Sequence, residues 1–474
     1  MFLYYNERMK DKTLRKKSLI SEKNYYVNSF FYGPIFPILI GLFSVLSYFS
    51  NIPEIGIVTL GLCACVLLII FKDLTPFIPL PFTVMLIFRS YNHVLTPINC
   101  IVFSLVFICI VAHFVIYPPT FTRGKLYLPL IFVSIALLVG GVCSPYFADY
   151  TRGLATILAA GPLLLFIYFL FTSYICPPKG FNLKNYLCYI LVVLGVFISV
   201  ELIMHRYLFF VVAHPEVNEL DLGWNNRNGV GSLLLAIIPA CWYLLTRSKK
   251  IVITLLAMIF IYFGIVLTKS EGCIGTAISF IPLLMLFSIT KGNNFHKNIL
   301  TKIFLITLSM ISITAFWGLL KTDLKSIFDF IILKLSNDTN RTLLFKEAIE
   351  LFKLYPLFGV GQGYYNPEGW LSLNVVIAYN FHSTFFHVLA TMGILGVLSY
   401  IFYFVQRYRI IMAKNTAFNL FAFFSFTMFE MYGMVDTCEF NIMPAMLVVT
   451  ITLTVIEHIN IKGNDGALPL SWNN

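Results

Sequence analysis

Long apolar segments recur along almost the whole chain and are separated by short polar connections. Each segment of about 17–22 residues is long enough, as a helix, to cross the hydrocarbon core of a bilayer. Backbone groups in lipid must be hydrogen-bonded within the protein, so only helices or a closed barrel can span it. Because the segments do not alternate between apolar and polar residues, as barrel strands do, the sequence predicts helices.

The composition excludes an ordinary soluble domain. Only 12% of the 474 residues are charged and 59% are hydrophobic, whereas a soluble domain carries about 25% charged residues. We therefore predict an all-α polytopic membrane protein with about 12–14 transmembrane helices and one long extracytoplasmic loop. Fourteen candidate spans lie near 30–50, 55–71, 76–89, 98–117, 126–143, 154–176, 186–204, 229–246, 250–268, 272–289, 300–319, 393–406, 417–434 and 442–460. The weakest is 76–89, which is short and contains Pro79 and Pro81.

The distribution of lysine and arginine predicts the orientation. With fourteen spans, 22 of the 33 basic residues fall in segments assigned to the cytoplasm, and seven of these precede the first span. Six of the others lie in one long loop, to which the positive-inside rule gives little weight. Both termini are therefore expected in the cytoplasm, without a cleavable signal peptide. The net charge of +11 is spread over short loops, which suits an anionic membrane surface rather than nucleic acid.

These assignments divide the chain into five parts. They are a basic cytoplasmic tail (1–29), transmembrane helices (30–319), a long extracytoplasmic loop (320–392), C-terminal transmembrane helices (393–460) and a cytoplasmic tail (461–474). The long loop and a second outside segment, 205–228, exceed the usual length of a connection between helices. Any chemistry is therefore expected on the extracytoplasmic side.

The long loop contains local helix signals. Residues 341–354 are predicted to form an amphipathic helix that ends before Pro356. A second helix is predicted to begin at His382 or Ser383 and to be interrupted at Gly393. The glycines within 359–363 are interpreted as a sharp turn, because no strand precedes them and no helix follows, as a dinucleotide site requires.

Three arginines are candidate anion ligands. Arg341 lies in the first turn of its predicted helix, where a cation opposes the helix dipole but can join free N–H groups in binding phosphate. Arg227 and Arg206 adjoin the ends of predicted spans, and an arginine there is more often an interfacial residue that reaches toward water. Glu201 and Glu430 also lie near span ends and allow either an interior or an interfacial placement.

His382 is the candidate general base. It lies beside Asn380 and Ser383, and an imidazole that titrates near neutral pH can accept a proton from a sugar hydroxyl. A single histidine at a helix start is more often only a polar terminus. Glu219 and Asp221 could hold Mg²⁺, but without an evident third ligand they are read as a solvated loop face, and no metal site is predicted.

Three segments resemble the bacterial O-antigen ligase/polymerase family of membrane glycan transferases. They are the asparagine-rich entry to a span at 226–229, the Arg–helix–Pro-x-x-Gly-x-Gly stretch at 340–361, and the His-to-Gly-x-x-Gly stretch at 382–396. Two positions depart from the pattern: Ser383 stands where the family usually has asparagine, and Glu271 where it often has arginine.

The resemblance implies transfer of a glycan from an undecaprenyl-pyrophosphate donor to a saccharide hydroxyl at the outer face of the cytoplasmic membrane, without metal or other cofactor. It further implies the bilayer as a partner, together with chain-length regulator and flippase proteins. The predicted catalytic residues are His382 and Arg341, the pyrophosphate ligands Arg227, Arg341 and Arg206, and the acceptor-orienting residues Asn380 and Ser383.

Several alternatives stay open. The acceptor can be a growing lipid-linked chain, as in a polymerase, or lipid A core or another surface anchor, as in a ligase; polymerisation is preferred. A flippase or transporter of lipid-linked oligosaccharide would also have about fourteen spans, but such proteins are often built from internal repeats, and no repeat is evident. A structural scaffold would leave the long loop unexplained.

Overall fold

The computed structural model describes residues 29–88, 96–119, 124–143, 154, 157–206, 222, 226–247, 250–291, 339–362, 381–439 and 443–462. Within these residues the chain is helical, with no β-strand. The predicted all-α class is therefore confirmed. The predicted span 300–319 lies outside the described residues, and so do the two predicted tails except for residues 29, 461 and 462.

We number fourteen helices in the described part of the chain. They are α1 (Ile35–Phe49), α2 (Pro53–Ile70), α3 (Thr75–Ile87), α4 (Pro97–Ile116), α5 (Tyr127–Val142), α6 (Ala159–Tyr174), α7 (Leu183–Met204), α8 (Arg227–Arg247), α9 (Ile251–Leu267), α10 (Glu271–Lys291), α11 (Thr339–Leu354), α12 (Thr384–Ile411), α13 (Ala417–Gly433) and α14 (Met443–Lys462). Seven of them, α2, α4, α7, α8, α10, α12 and α14, are long and apolar enough to cross a membrane. The chain is thus a multi-pass membrane protein.

The segment predicted as the weakest span, 76–89, differs most from a regular transmembrane helix. Helix α3 consists of short 3-10 and α-helical turns, because Pro79 and Pro81 remove backbone donors. Most of its side chains are buried, with Ile78 and Phe82 fully inaccessible. This segment is therefore an irregular element of the core and not a lipid-facing span.

Helix α8 lies at the centre of the bundle. All of its residues from Gly229 to Thr246 are buried, and it packs against α7, α9, α10 and α13. Because neighbours surround α8, its first residue, Arg227, emerges where the ends of several other helices meet.

Helix α12 is interrupted at Gly393, whose backbone is non-helical at φ 60° and ψ −156°. The interruption leaves the carbonyls before it without their usual donors. The nitrogens of Val360 and Gly361 donate to the carbonyl oxygens of Ala390 and Thr391, both at 2.9 Å. The stretch after α11 therefore replaces the missing helical bonds on the N-terminal side of the break.

The same stretch supplies acceptors on the other side of the break. The nitrogen of Ile394 donates to the Pro356 oxygen at 2.8 Å, and that of Leu395 donates to the Leu357 oxygen at 3.3 Å. Backbone groups in an apolar environment must be paired within the protein. The Pro-x-x-Gly-x-Gly stretch and the break in α12 therefore form one structural unit.

Helix α11 runs parallel to the first part of α12. The rings of Phe345 and Phe386 stack with centroids 4.4 Å apart. Later in both segments, the nitrogen of Ile394 donates to the oxygen of Pro356. A small core holds the two helices together: Ala348, Leu351, Val360, Phe381 and Ala390. Both helices consequently begin at the same end of this unit.

Gly393→Ala should lower the free energy of unfolding by about 1–3 kcal/mol, because a left-handed backbone strains any other residue. A Cβ there would also lie 2.7 Å from the nitrogen of Gly359. Thermal unfolding in detergent measures this. The control is Gly275→Ala, where a Cβ meets nothing within 4 Å. Equal unfolding midpoints for the two variants would contradict this account of the break.

Candidate functional site

The ends of several helices meet at one end of the bundle. The start of α10 contacts the start of α8, where Cys273 Sγ lies 3.9 Å from the Asn228 carbonyl oxygen. The end of α13 joins them, since the hydroxyls of Ser270 and Tyr432 lie 3.1 Å apart. The predicted topology assigns these ends to the extracytoplasmic side.

A histidine–aspartate pair joins the start of α12 to this group. His382 Nδ1 lies 3.2 Å from Asp436 Oδ1. The Asp436 carboxylate also accepts bonds from the Thr437 nitrogen at 2.7 Å and the Tyr432 hydroxyl at 3.4 Å. The Asp436 side chain is 7% exposed and the His382 side chain 36%. A buried, fixed carboxylate thus holds an accessible imidazole.

The backbone of His382 is strained. Its φ of 47° lies in the left-handed region, which costs an L-residue about 1–2 kcal/mol. Ser383 returns to extended geometry as the N-cap of α12, and its carbonyl accepts from the His387 nitrogen at 2.8 Å. Such strain persists where surrounding contacts impose it, and it clusters at functional sites.

Arg341 lies at the same end as His382. Arg341 lies about one helical turn before Phe345, and His382 lies four residues before Phe386, which stacks on Phe345. The two predicted catalytic residues, 41 positions apart in the chain, therefore lie at the same end of the unit formed by α11 and the start of α12.

Arg227 is exposed at the first position of α8. The preceding Asn226 caps the helix, because its Oδ1 accepts from the nitrogens of Asn228 and Gly229, both at 3.0 Å. Arg227 and Arg341 thus both lie in first helical turns, where a cation is unfavourable unless an anion neutralises it. Helix N-termini with added arginines can bind phosphate.

Arg206 has a structural contact. Its Nε donates to the carbonyl oxygen of Leu267, the last residue of α9, at 2.7 Å. A cation at a helix C-terminus satisfies an orphan carbonyl and complements the dipole. This bond ties the end of α7 to the end of α9. A pyrophosphate-binding role for Arg206 stays a prediction.

The other predicted residues are not drawn into the site in the same way. Ser383 is buried at the start of α12, and its acceptor-orienting role stays a prediction. Asn380, Glu219 and Asp221 lie outside the described residues. Glu271 is exposed at the first position of α10. Among the described residues, no group of three His, Cys, Asp or Glu side chains could hold a metal ion.

Sequence reasoning missed two acidic residues near the site. Asp436 follows α13, and its signal was a carboxylate among apolar residues at the end of a span, which often marks function. Glu347 on α11 is also buried, and burial raises the pKa of its carboxyl group.

The bundle and the polar group at one end define a multi-pass membrane protein with a cationic, histidine-containing site. Within this class, residues 225–401 match the model of the O-antigen ligase family. The match contains Arg227, Arg341 and His382 and confirms the O-antigen ligase/polymerase resemblance over those residues. Asp436 and Arg206 lie outside the matched range. No curated protein matches the chain.

Arg206→Ala should lower the free energy of unfolding by about 1 kcal/mol, because the Leu267 carbonyl loses its partner. The unfolding midpoint in detergent measures the loss. The control is Lys414→Ala, which removes an exposed cation from the connection between α12 and α13. If the two variants unfold alike, the bond to α9 does not stabilise the protein.

Proposed function

We propose that the protein is a glycosyltransferase that moves a glycan from a polyprenyl-pyrophosphate donor, undecaprenyl pyrophosphate being the expected one, to a saccharide hydroxyl. The observation that carries the proposal is the His382–Asp436 pair at the end of the bundle where the first turns of α11 and α8 contain Arg341 and Arg227. The family match, which supports a ligase or polymerase role in surface polysaccharide synthesis, covers three of these four residues.

His382 is proposed as the base. With its proton on Nδ1, the imidazole donates to Asp436 and presents Nε2 as the acceptor. Nε2 takes the proton of the acceptor hydroxyl while the hydroxyl oxygen attacks the anomeric carbon. Asp436 orients the ring and stabilises the imidazolium that forms, as a buried carboxylate does in other histidine-based sites.

The arginines are proposed to bind the leaving group. The bond between the anomeric carbon and the pyrophosphate oxygen breaks, and the electron pair leaves with polyprenyl pyrophosphate. A guanidinium group can bind phosphate oxygens through two parallel bonds, and Arg227 and Arg341 are proposed to do so. They would neutralise the charge that develops, in the place where other enzymes use a metal ion.

The topology supports a membrane-bound donor. The charge distribution assigns the site to the extracytoplasmic face, with both termini in the cytoplasm, and a bacterial cytoplasmic membrane is the expected location. The polyprenyl chain would stay in the bilayer beside the apolar helices while its pyrophosphate reaches the helix ends.

The acceptor is proposed to be the non-reducing end of another lipid-linked chain, which makes the protein a polymerase of surface polysaccharide repeat units. A ligase that uses lipid A core or another surface anchor would need the same base and the same arginines. A flippase would not need the His382–Asp436 pair, and this observation favours an enzyme over a transporter.

The decisive experiment incubates purified protein with undecaprenyl-pyrophosphate-linked repeat units in the presence of EDTA. Glycan length and release of undecaprenyl pyrophosphate are measured. A ladder of longer chains supports the polymerase, and transfer that requires an added anchor supports the ligase. No transfer under either condition, with donor flipping intact in liposomes, would exclude the enzyme and favour the flippase.

Asp436→Asn and His382→Ala should each slow transfer by about 10²-fold or more, because each removes part of the base. Initial rates of pyrophosphate-lipid release measure the effect. Lys353→Ala is the matched control, since Lys353 is an exposed residue of α11 paired only with Glu350 among the described residues. A full rate in the Asp436 variant would exclude the paired base.

Arg341→Lys should retain more transfer than Arg341→Ala, because lysine keeps the charge but loses the two-pronged bond to phosphate. We expect the alanine variant to lose about 10²-fold or more in kcat/KM for the donor. Steady-state kinetics with donor as the varied substrate measure this. Equal rates for arginine, lysine and alanine would show that this position does not contact the pyrophosphate.

A further inference from the structure

A second charged group lies buried inside the bundle, between α12, α13 and the connection to α14. Arg407 is fully buried and pairs with Glu439, also buried. Its Nη2 lies 2.6 Å from Glu430 Oε1, and Tyr400 donates to Glu430 Oε2 at 2.9 Å. Arg407 is therefore an interior residue, and the Glu430 side chain beside it is only 12% exposed.

Stability alone is a poor explanation for this group. Removing charges from water costs several kcal/mol per ion, and a buried ion pair often contributes no more than well-packed apolar residues would. Such pairs can instead specify one arrangement of the chain. The question is therefore which arrangement the Arg407–Glu439 pair specifies.

The Arg407–Glu439 pair bonds the connection between α13 and α14 to helix α12. Glu439 follows Asp436 by three residues, and between them the Cys438 nitrogen donates to Thr384 Oγ1 at 3.1 Å. Thr384 itself lies two residues after His382. Two adjacent residues of the connection are thus bonded to α12, Cys438 to Thr384 and Glu439 to Arg407, while the Asp436 nitrogen bonds back to the Tyr432 oxygen at 3.0 Å.

These attachments determine where the carboxylate of Asp436 can lie. The Thr437 nitrogen bonds back to Asp436 Oδ1 at 2.7 Å, so the carboxylate moves with its own backbone. If Glu439 were released, the bonds to Thr384 and Tyr432 would remain, but the C-terminal part of residues 436–439 would lose its side-chain anchor and could shift. The His382–Asp436 contact of 3.2 Å would then lengthen.

We propose that Arg407 is a positioning residue for transfer: by binding Glu439 it fixes the connection that presents Asp436 to His382. This inference rests on the proposed function of His382. It gives Arg407 no contact with substrate, and it assigns a role to a residue beyond the range of the family match, 225–401.

The test compares Arg407→Met, Glu439→Leu and Glu439→Gln in the full-length protein. The glutamine retains an oxygen that can accept from Arg407, whereas leucine does not. The control is Glu457→Gln at the far end of α14, where the buried Glu457 accepts from Tyr168 at 2.6 Å. Amide hydrogen exchange over 434–439 and the steady-state kinetics of transfer are measured.

We expect faster exchange over 434–439 and at least a 10-fold lower kcat in Arg407→Met and Glu439→Leu, with the donor KM unchanged. Glu439→Gln and Glu457→Gln should keep wild-type exchange there and most of the activity. If Arg407→Met does not fold, Glu439→Leu against Glu439→Gln carries the same comparison. Unchanged exchange and kcat in Glu439→Leu would overturn the proposal.

A double-mutant cycle distinguishes positioning from general destabilisation. Once Asp436→Asn has disabled the pair, adding Glu439→Leu should lower kcat little further, because both changes act through one contact. Multiplicative losses would overturn the proposal. If the wild type transfers no glycan, the proposed function fails, and unchanged exchange in Arg407→Met would then show separately that Arg407 does not fix this connection.

Discussion

The break in α12 at Gly393 is the constraint on which the rest of the site depends. A helix interrupted among apolar neighbours must find new partners for its backbone groups. The stretch 356–361 supplies four such bonds, and its own folding depends on the same four. These backbone hydrogen bonds hold α11 beside the start of α12. The placement of Arg341 and His382 at the same end of this unit follows from them.

Polar groups within the bundle occur in connected sets. Ser270, Tyr432, Asp436 and His382 form a chain of contacts from the start of α10 to the start of α12. A buried polar group without a partner costs about 1–3 kcal/mol, so each member restricts the next. The outermost member is the accessible imidazole, and the buried members limit how it can turn.

The sequence predicted Arg341, His382 and Arg227 because each lies in a local pattern: a helix start, a loop end or an asparagine-rich span entry. Asp436 was missed because it lies 54 residues from its partner and its surroundings resemble any span end. Arg206 shared the same local signals as Arg227, yet its Nε bonds to Leu267. Local pattern cannot tell a helix cap from a substrate ligand.

The sequence by itself determined the membrane class, the helices and the position of the break, since hydrophobic length, proline and glycine act through the local backbone. The tertiary structure alone decided which helix ends meet, which arginine is interior and which carboxylate holds the histidine. These are contacts between residues far apart in the chain. They depend on how the helices pack around α8, and no local periodicity encodes that packing.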